Sequence, residues 1–486
     1  MVVPTVHNSA RTYVLLNLSG QTISWLFTFV VMRLLDPQDY GLMAMASFLT
    51  GYLQAFGELG IGASLIRRAD IDRGELSSVF WMTVCIGIVM AASCLVLAYP
   101  TAWIFSEPDL VPITQLIGVV FIGVFPAIVP RSLLSRELSW ERIGLGNLVA
   151  IVVSSVLSVV LAVKGFGVYT LILANAASNL TKLLVFWVFA RWVPLLTFKL
   201  SDVSEHVMFG GVLSLAGGVS RLFQSLDRLI MGREFGAANL GLYSNAANVA
   251  AMPLDKSWPM VNQIIYPLFA RMMHRGEDYL SPYMMVVKLS SAFAAAVYLG
   301  AIAISELLIE VVLGEKWLPM NVFLQVFCVT KLVDALIGPH RTALTLVGVP
   351  RVLLARSVII LVIMVPAIWI AANQSFHAVA LPWLVIYTSI NVAWILRTAH
   401  HVGVSPALYA RTYAAALLPA AGMFTMIQLV PDALTSELST VNQLLMKVGL
   451  GGALWLGLQA AFDRTVLTEF LSILKGGADR TSAAEV

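Results

Sequence analysis

Apolar runs of about twenty residues recur along this chain, each broken by a short polar stretch. A helix needs roughly 20 residues to cross a bilayer. Hydropathy therefore predicts spans near 13–34, 40–66, 77–99, 111–133, 146–164, 167–189, 206–232, 240–268, 284–313, 318–346, 353–372, 376–396, 407–430 and 442–463. That makes about fourteen helices, or twelve if two of the weaker runs merge or lie in the interface. The predicted fold class is all-α integral membrane. Loops of about 5–17 residues leave no room for a catalytic domain.

Within the runs, polar residues form stripes at helical spacing. The first helix carries Asn17, Gln21, Ser24 and Thr28, the second Ser47, Gly51, Gln54 and Glu58, and the sixth Asn175, Asn179 and Lys182. The stretch "SRLFQSLDRLIMG", from Ser220, places Arg221 and Arg228 on the face of Ser214, Gly218 and Ser225, with Asp227 one step round. The eighth helix carries Asn248, Asp255 and Asn262, with Lys256 adjacent and Pro253 and Pro259 bracketing the pair. The tenth carries Asp334 and Arg341, with Lys331 a turn earlier. Steps of three, four and seven put such groups on one side of a helix.

The loops supply orientation. With the N-terminus inside, the inner loops and ends hold Arg11; Arg67, Arg68, Arg73; Arg131, Arg136, Arg142; Arg191, Lys199; Arg271, Arg275; Arg351, Arg356; Arg397, Arg411; Arg464, Lys475 and Arg480. The outer loops hold Arg33, Lys164, Arg233 and Lys316. Positive charge collects on the cytoplasmic side, so both termini are expected there.

A repeat is visible as well. "RLLDPQDYGLMAMA" from Arg33 and "REFGAANLGLYSNA" from Arg233 share Arg, Gly, Leu and Ala at an offset of 200. In both, a helix ends, a short turn follows and a Gly-Leu pair opens the next. The expected organisation is an N-lobe over 1–200, a C-lobe over 201–400, two more helices over 401–474 and a polar cytoplasmic tail over 475–486. Internal repeats are the usual build of secondary transporters, with the substrate path between the halves.

Composition agrees with the membrane reading. Of 486 residues, 59% are hydrophobic and 12% charged, and the mean hydropathy is +0.85. Soluble domains average about 45–50% apolar and 25% charged. The net charge of +3 is small, and no nucleic-acid partner is expected. Cys85, Cys94 and Cys328 sit in apolar runs with no disulfide framework or zinc spacing. The adjacent His400 and His401 read as a solvated loop pair. No Walker A motif and no metal cluster is present. A transporter without catalytic residues, cofactor or metal is the expectation.

The intramembrane charges then carry the chemistry. Each costs about 3 kcal/mol at the bilayer centre even on a lenient scale, so Arg221, Arg228, Lys256, Lys288, Lys331 and Arg341 facing lipid would cost ~15–20 kcal/mol. They must face a wet cavity or find partners. Asp227, Asp255 and Asp334 are candidate counterions, Lys288 and Arg341 sit where they can snorkel, and Glu306 lies toward the outer end. Six bases against four acids leave a positive cavity, which suits an anionic group, above all a phosphate. Two readings of Glu58 stand: a proton carrier, or a carboxylate bonded to a neighbouring helix.

The segments "RLLDPQDYGLMAMASFLTGYLQAFGELGIGASLIRR" (33–68) and "DRLIMGREFGAANLGLYSNAANVAAMPL" (227–254) resemble the polysaccharide transporters. These are Wzx-type oligosaccharide flippases of the multidrug/oligosaccharidyl-lipid/polysaccharide exporter superfamily, nearest the colanic-acid and exopolysaccharide branch. The resemblance implies a V-shaped exporter in the bacterial inner membrane that moves undecaprenyl-pyrophosphate-linked repeat units outward by alternating access. It implies a cationic cavity, matched here by Arg221, Arg228, Lys256 and Lys331. Membrane lipids, a polysaccharide polymerase and a co-polymerase are the implied partners. Glu58 departs from the family pattern, which has Asp before Leu-Gly. The alternatives are a lipid II flippase and a cation-coupled multidrug exporter of the same superfamily.

Overall fold

The computed structural model describes residues 3–58, 61–67, 71–200, 203, 225–431 and 438–469. Among these, every regular element is helical. The main helices are α1 (Val3–Leu34), α2 (Pro37–Glu58), α3 (Ile61–Arg67), α4 (Arg73–Phe105), α5 (Leu110–Val124), α6 (Ile128–Arg136), α7 (Trp140–Val163) and α8 (Val168–Ala190). There follow α9 (Leu226–His274), α10 (Leu280–Ala303), α11 (Asn321–Leu346), α12 (Pro350–Ala372), α13 (Thr388–Val402), α14 (Pro406–Gln428) and α15 (Thr440–Phe462). Ten segments of the described chain are long and apolar enough to cross a membrane. The helices α2, α9 and α14 coincide with further predicted spans, while the predicted span 206–232 falls largely outside the described residues.

Local chemistry sets the helix ends. Asp72 caps α4 by accepting from the Glu75 amide at 2.6 Å, and Ser405 caps α14 through the Leu408 amide. Pro350 and Pro406 open α12 and α14, where a missing N–H does no harm. Gly403, at φ +80°, closes α13. His400 and His401 occupy the last turn of α13 rather than a loop, because the capping glycine comes only after them.

The chain divides into two compact units, 1–244 and 245–486. In the first, α1 packs on α7, α4 on α5 and α7 on α8. After α8 the chain runs across the start of α4, where the Ser77 and Ser78 hydroxyls accept from the Leu195 and Lys199 amides and the Trp81 indole donates to the Leu195 carbonyl. In the second unit, α11 is the central helix: 67% of its apolar window is buried, against 11% for α15.

The repeat has a structural counterpart inside the first unit. The break after α1 falls at Asp36; its match, Gly236, is the single non-helical residue in α9, at φ +77° and ψ 179°. Beyond each break lies a glycine with no room for a side chain. A Cβ on Gly41 would lie 1.7 Å from the Ala237 carbonyl oxygen, and one on Gly241 would lie 1.8 Å from that of Pro37. Residues 41 and 241, and likewise 37 and 237, differ by the repeat offset, so the two contacts exchange under it. The packing is locally two-fold.

Two polar ties cross the second unit. His340, fully buried on α11, has Nδ1 2.9 Å from the Tyr409 hydroxyl and Nε2 2.6 Å from Thr398. Thr398 already donates to the Trp394 carbonyl at 2.7 Å, so it accepts from His340. The imidazole is therefore the Nε2–H tautomer, Tyr409 donates to Nδ1, and Tyr283 donates to Tyr409 across 2.5 Å. One directed chain thus joins α10, α14, α11 and α13. Lys288 finds partners at the span end: its ammonium pairs with Asp463 and donates to Thr465 at 2.7 Å, closing α10 onto the end of α15. Burial raises the Asp463 carboxyl, but hydrogen bonds from Lys288 and Thr465 and the Lys288 charge outweigh it and hold the group below the usual carboxylate range.

Three outcomes follow from this packing. Gly41→Ala and Gly241→Ala should each prevent normal accumulation in the membrane, since backbone oxygen cannot yield. Gly51→Ala in the same α2, with nothing within 4 Å of its Cβ, should accumulate normally and melt no lower in detergent. His340→Phe removes one of the two hydrogen bonds of each of two buried hydroxyls, Tyr409 and Thr398, and should cost about 1–3 kcal/mol, measured as a lower melting temperature. Asp463 is depressed by folding, so its contribution is complete above the unfolded carboxylate value of 3.8 and fades as pH falls below it. The melting deficit of Asp463→Asn should therefore be present at pH 7 and shrink progressively as pH falls below 3.8; a deficit that does not change with pH would rule out this linkage.

Candidate functional site

The sequence-predicted charges divide between the two units. In the first, Asp227 and Arg228 open α9. The Asp227 carboxylate accepts from the Tyr243 hydroxyl at 2.8 Å and lies in the field of Arg228. Tyr52 of α2 bonds the Ser225 side chain beside them. Arg228 is half-buried, as is Lys182 on α8. Arg221 lies outside the described residues. The side chains of Glu58, the last residue of α2, and Lys256, within α9, also lie outside them; Asp255 is exposed.

The second unit brings Lys331, Asp334 and Arg341 onto one side of α11. The Lys331 ammonium is 3.5 Å from Asp334 Oδ2. Asp334 Oδ1 accepts from the Tyr387 hydroxyl at 2.7 Å. A second cation joins from α12: Arg356 Nη2 stands 4.0 Å from Asp334 Oδ1, a charge contact rather than a hydrogen bond. Arg356 Nε donates to Asn391 Oδ1 at 2.7 Å, and the guanidinium lies 5.6 Å from the centre of the Trp394 ring. Asn391 in turn donates to the Tyr387 carbonyl at 2.8 Å. Arg341 is half-buried and close enough to act electrostatically on Tyr387.

Local structure explains this convergence. Pro382 opens a π-helical turn, Pro382–Tyr387, that runs into α13. From Tyr387 onward, Asn391, Trp394 and Thr398 follow at steps of four, three and four, so one face meets α11 and α12. Such turns occur often at functional positions. Arg356 counts in the sequence among the charges of the inner loops and ends, inside the start of the predicted span 353–372; it lies within α12, as that span requires, and is 9% exposed. The stripe Tyr387, Asn391, Trp394, Thr398 was the signal for its partners. Counting every arginine near a span end as a loop charge concealed it.

One carboxylate here faces two cations in direct reach and a third nearby. The cluster carries a net positive charge within membrane-spanning helices. Lys331 has its side chain 26% exposed. Arg356 is enclosed by Asn391, Asp334 and Trp394.

Residues 30–322 match the family described as "Polysaccharide biosynthesis protein". The chain is 26% identical over 312 residues to the lipopolysaccharide biosynthesis protein WzxC of Escherichia coli (strain K12), covering 64% of this chain and 63% of that one. It is 24% identical over 465 residues to the succinoglycan biosynthesis transport protein ExoT of Rhizobium meliloti (strain 1021), covering 94% and 92%. The match thus spans under two thirds of the first relative and nearly all of the second. Among solved structures, the fold resembles the inward closed conformation of the lipid II flippase MurJ, with a TM-score of 0.74, 13% identity, and coverage of 94% of this chain and 99% of that one. A family match over more than half the chain, on a fold of many membrane-spanning helices, makes this a multi-pass membrane protein of the polysaccharide biosynthesis family.

Proposed function

We propose that the chain is a flippase for lipid-linked oligosaccharide repeat units, working in the bacterial inner membrane to supply exopolysaccharide or lipopolysaccharide assembly. The observation that carries this reading is the cation excess around Asp334, inside spans where an unpartnered charge is costly. A pyrophosphate head fits that excess, whereas a cationic drug does not. The relatives' names, lipopolysaccharide biosynthesis and succinoglycan biosynthesis transport, support a glycan cargo. The fold shared with a lipid II flippase supports a lipid carrier.

In this reading the repeat-related halves, 1–200 and 201–400, alternate between inward- and outward-open arrangements that bind the head differently. Arg221, Arg228, Lys256, Lys331, Arg341 and Lys182 would line the path, with Asp227, Asp255 and Asp334 as counterions and Glu58 as a coupling group. Both termini face the cytoplasm. A potential positive outside favours outward movement of an anionic head by about 2.3 kcal/mol per charge per 100 mV.

Deleting the gene should abolish surface polysaccharide and accumulate lipid-linked repeat units while leaving the cell wall intact. Loss of the wall instead would assign the chain to lipid II. Normal polymer with no accumulated precursor would end the flippase reading. Complementation with Lys331→Gln or Arg221→Ala should restore protein levels without restoring export.

A further inference from the structure

We propose that Arg356 is a positioning residue for anion binding: it occupies Asp334 from the buried side and so leaves Lys331 available to a phosphate-bearing ligand. This rests on the flippase reading for the ligand class, but its logic is that of the cluster alone.

Asp334 has two oxygens and three neighbours. Oδ1 takes the Tyr387 hydroxyl at 2.7 Å and faces the Arg356 guanidinium at 4.0 Å. Oδ2 faces Lys331 at 3.5 Å. A charge-assisted N–H···O bond lies nearer 2.7–2.9 Å. Lys331 is therefore beside the carboxylate without being bonded to it. Arg356 is held in place independently of Asp334, by Asn391 at 2.7 Å and by the Trp394 ring. Its position does not depend on the ligand, and with its side chain only 10% exposed it cannot reach one. The side chain of Lys331 is 26% exposed and sits on the opposite carboxylate oxygen.

The consequence is a division of labour. Arg356 supplies a fixed charge that draws on Asp334 from behind. Without it, the carboxylate has one near cation left and closes on Lys331, which neutralises the ligand-facing group. With it, Lys331 keeps an excess of positive charge that an anionic oxygen can satisfy. Tyr387 and Asn391 belong to the same device, since Asn391 orients Arg356 and Tyr387 holds Asp334 Oδ1, the oxygen that faces Arg356.

The test is a binding titration with the full-length protein in nanodiscs. The probes are geranylgeranyl pyrophosphate and, to separate lipid from phosphate recognition, inorganic pyrophosphate. Lys331→Gln should lose most of the affinity. Arg356→Gln should bind about tenfold more weakly. Asp334→Asn, which removes the competitor, should bind at least as tightly as wild type. The double variant Arg356→Gln/Asp334→Asn should recover to within about twofold of wild type. A merely structural counterion role would be rescued in the same way, so a second pair discriminates: Arg356 acts only through Lys331, and Lys331→Gln/Arg356→Gln should bind no more weakly than Lys331→Gln alone. The inference is overturned by unchanged affinity in Arg356→Gln, by Arg356→Gln/Asp334→Asn no tighter than Arg356→Gln, or by Lys331→Gln/Arg356→Gln weaker than Lys331→Gln. Should Arg356→Gln fail to accumulate, Asp334→Asn decides by itself: weaker binding than wild type overturns the proposal. Wild type that binds neither probe overturns it too, and the deletion phenotype then judges the flippase reading separately. Binding of both probes with equal loss in Arg356→Gln means the site reads the pyrophosphate rather than the chain, as expected.

Discussion

Charge inside a bilayer must be hydrated or paired, and Asp334 is where this chain meets that constraint. Its carboxylate draws an arginine from α12, a tyrosine from the turn before α13 and a lysine from its own helix into one cluster. Three separate helices are thereby tied at one depth. The tie is not neutral, because two cations serve one acid. A purely structural pairing would have no use for the surplus, since burying an uncompensated charge is destabilising. The surplus is intelligible if a negatively charged group arrives from outside the protein.

The same unit contains the opposite solution a short distance along α11. His340 is as deeply buried as any residue in the core, yet both ring nitrogens are matched by hydroxyls, and no charge is present. It ties four helices with neutral hydrogen bonds that are complete without a ligand. Lys288 and Asp463 offer a third arrangement, one cation for one carboxylate at the end of the helices. Set side by side, the complete ties need nothing further, and the incomplete one is where the proposed ligand would add the missing anion.

Much of this was legible in the chain itself. Apolar run lengths located the spans that the described helices follow. The matched glycines at 41 and 241 signalled a repeat, and their reciprocal contact gives the reason: each must let a backbone carbonyl of the other segment approach. Long-range partners were not legible. Nothing local to Lys288 indicates a threonine 177 residues later. The burial of Arg356 was hidden for a physical reason as well. The rule that arginines near span ends are loop charges assumes lipid or water as neighbours, and fails when another helix supplies an asparagine and an indole.

The choice of arginine at 356 and lysine at 331 follows from what each must do. The guanidinium is planar and offers donors in fixed directions, so it can hold Asn391 through Nε, face Asp334 through Nη2 and stack near Trp394 at once. Those three contacts fix it as a permanent charge. The lysine ammonium is a compact charge on a flexible stem, with no preferred plane. On the proposed reading it would leave a carboxylate 3.5 Å away for a better anion and return when that anion departs. The proposed transport would need both kinds of behaviour in one site: a charge that stays, to set the field, and a charge that moves, to release what it has carried. Exchanging the two residues would keep the net charge of the cluster and lose that distinction.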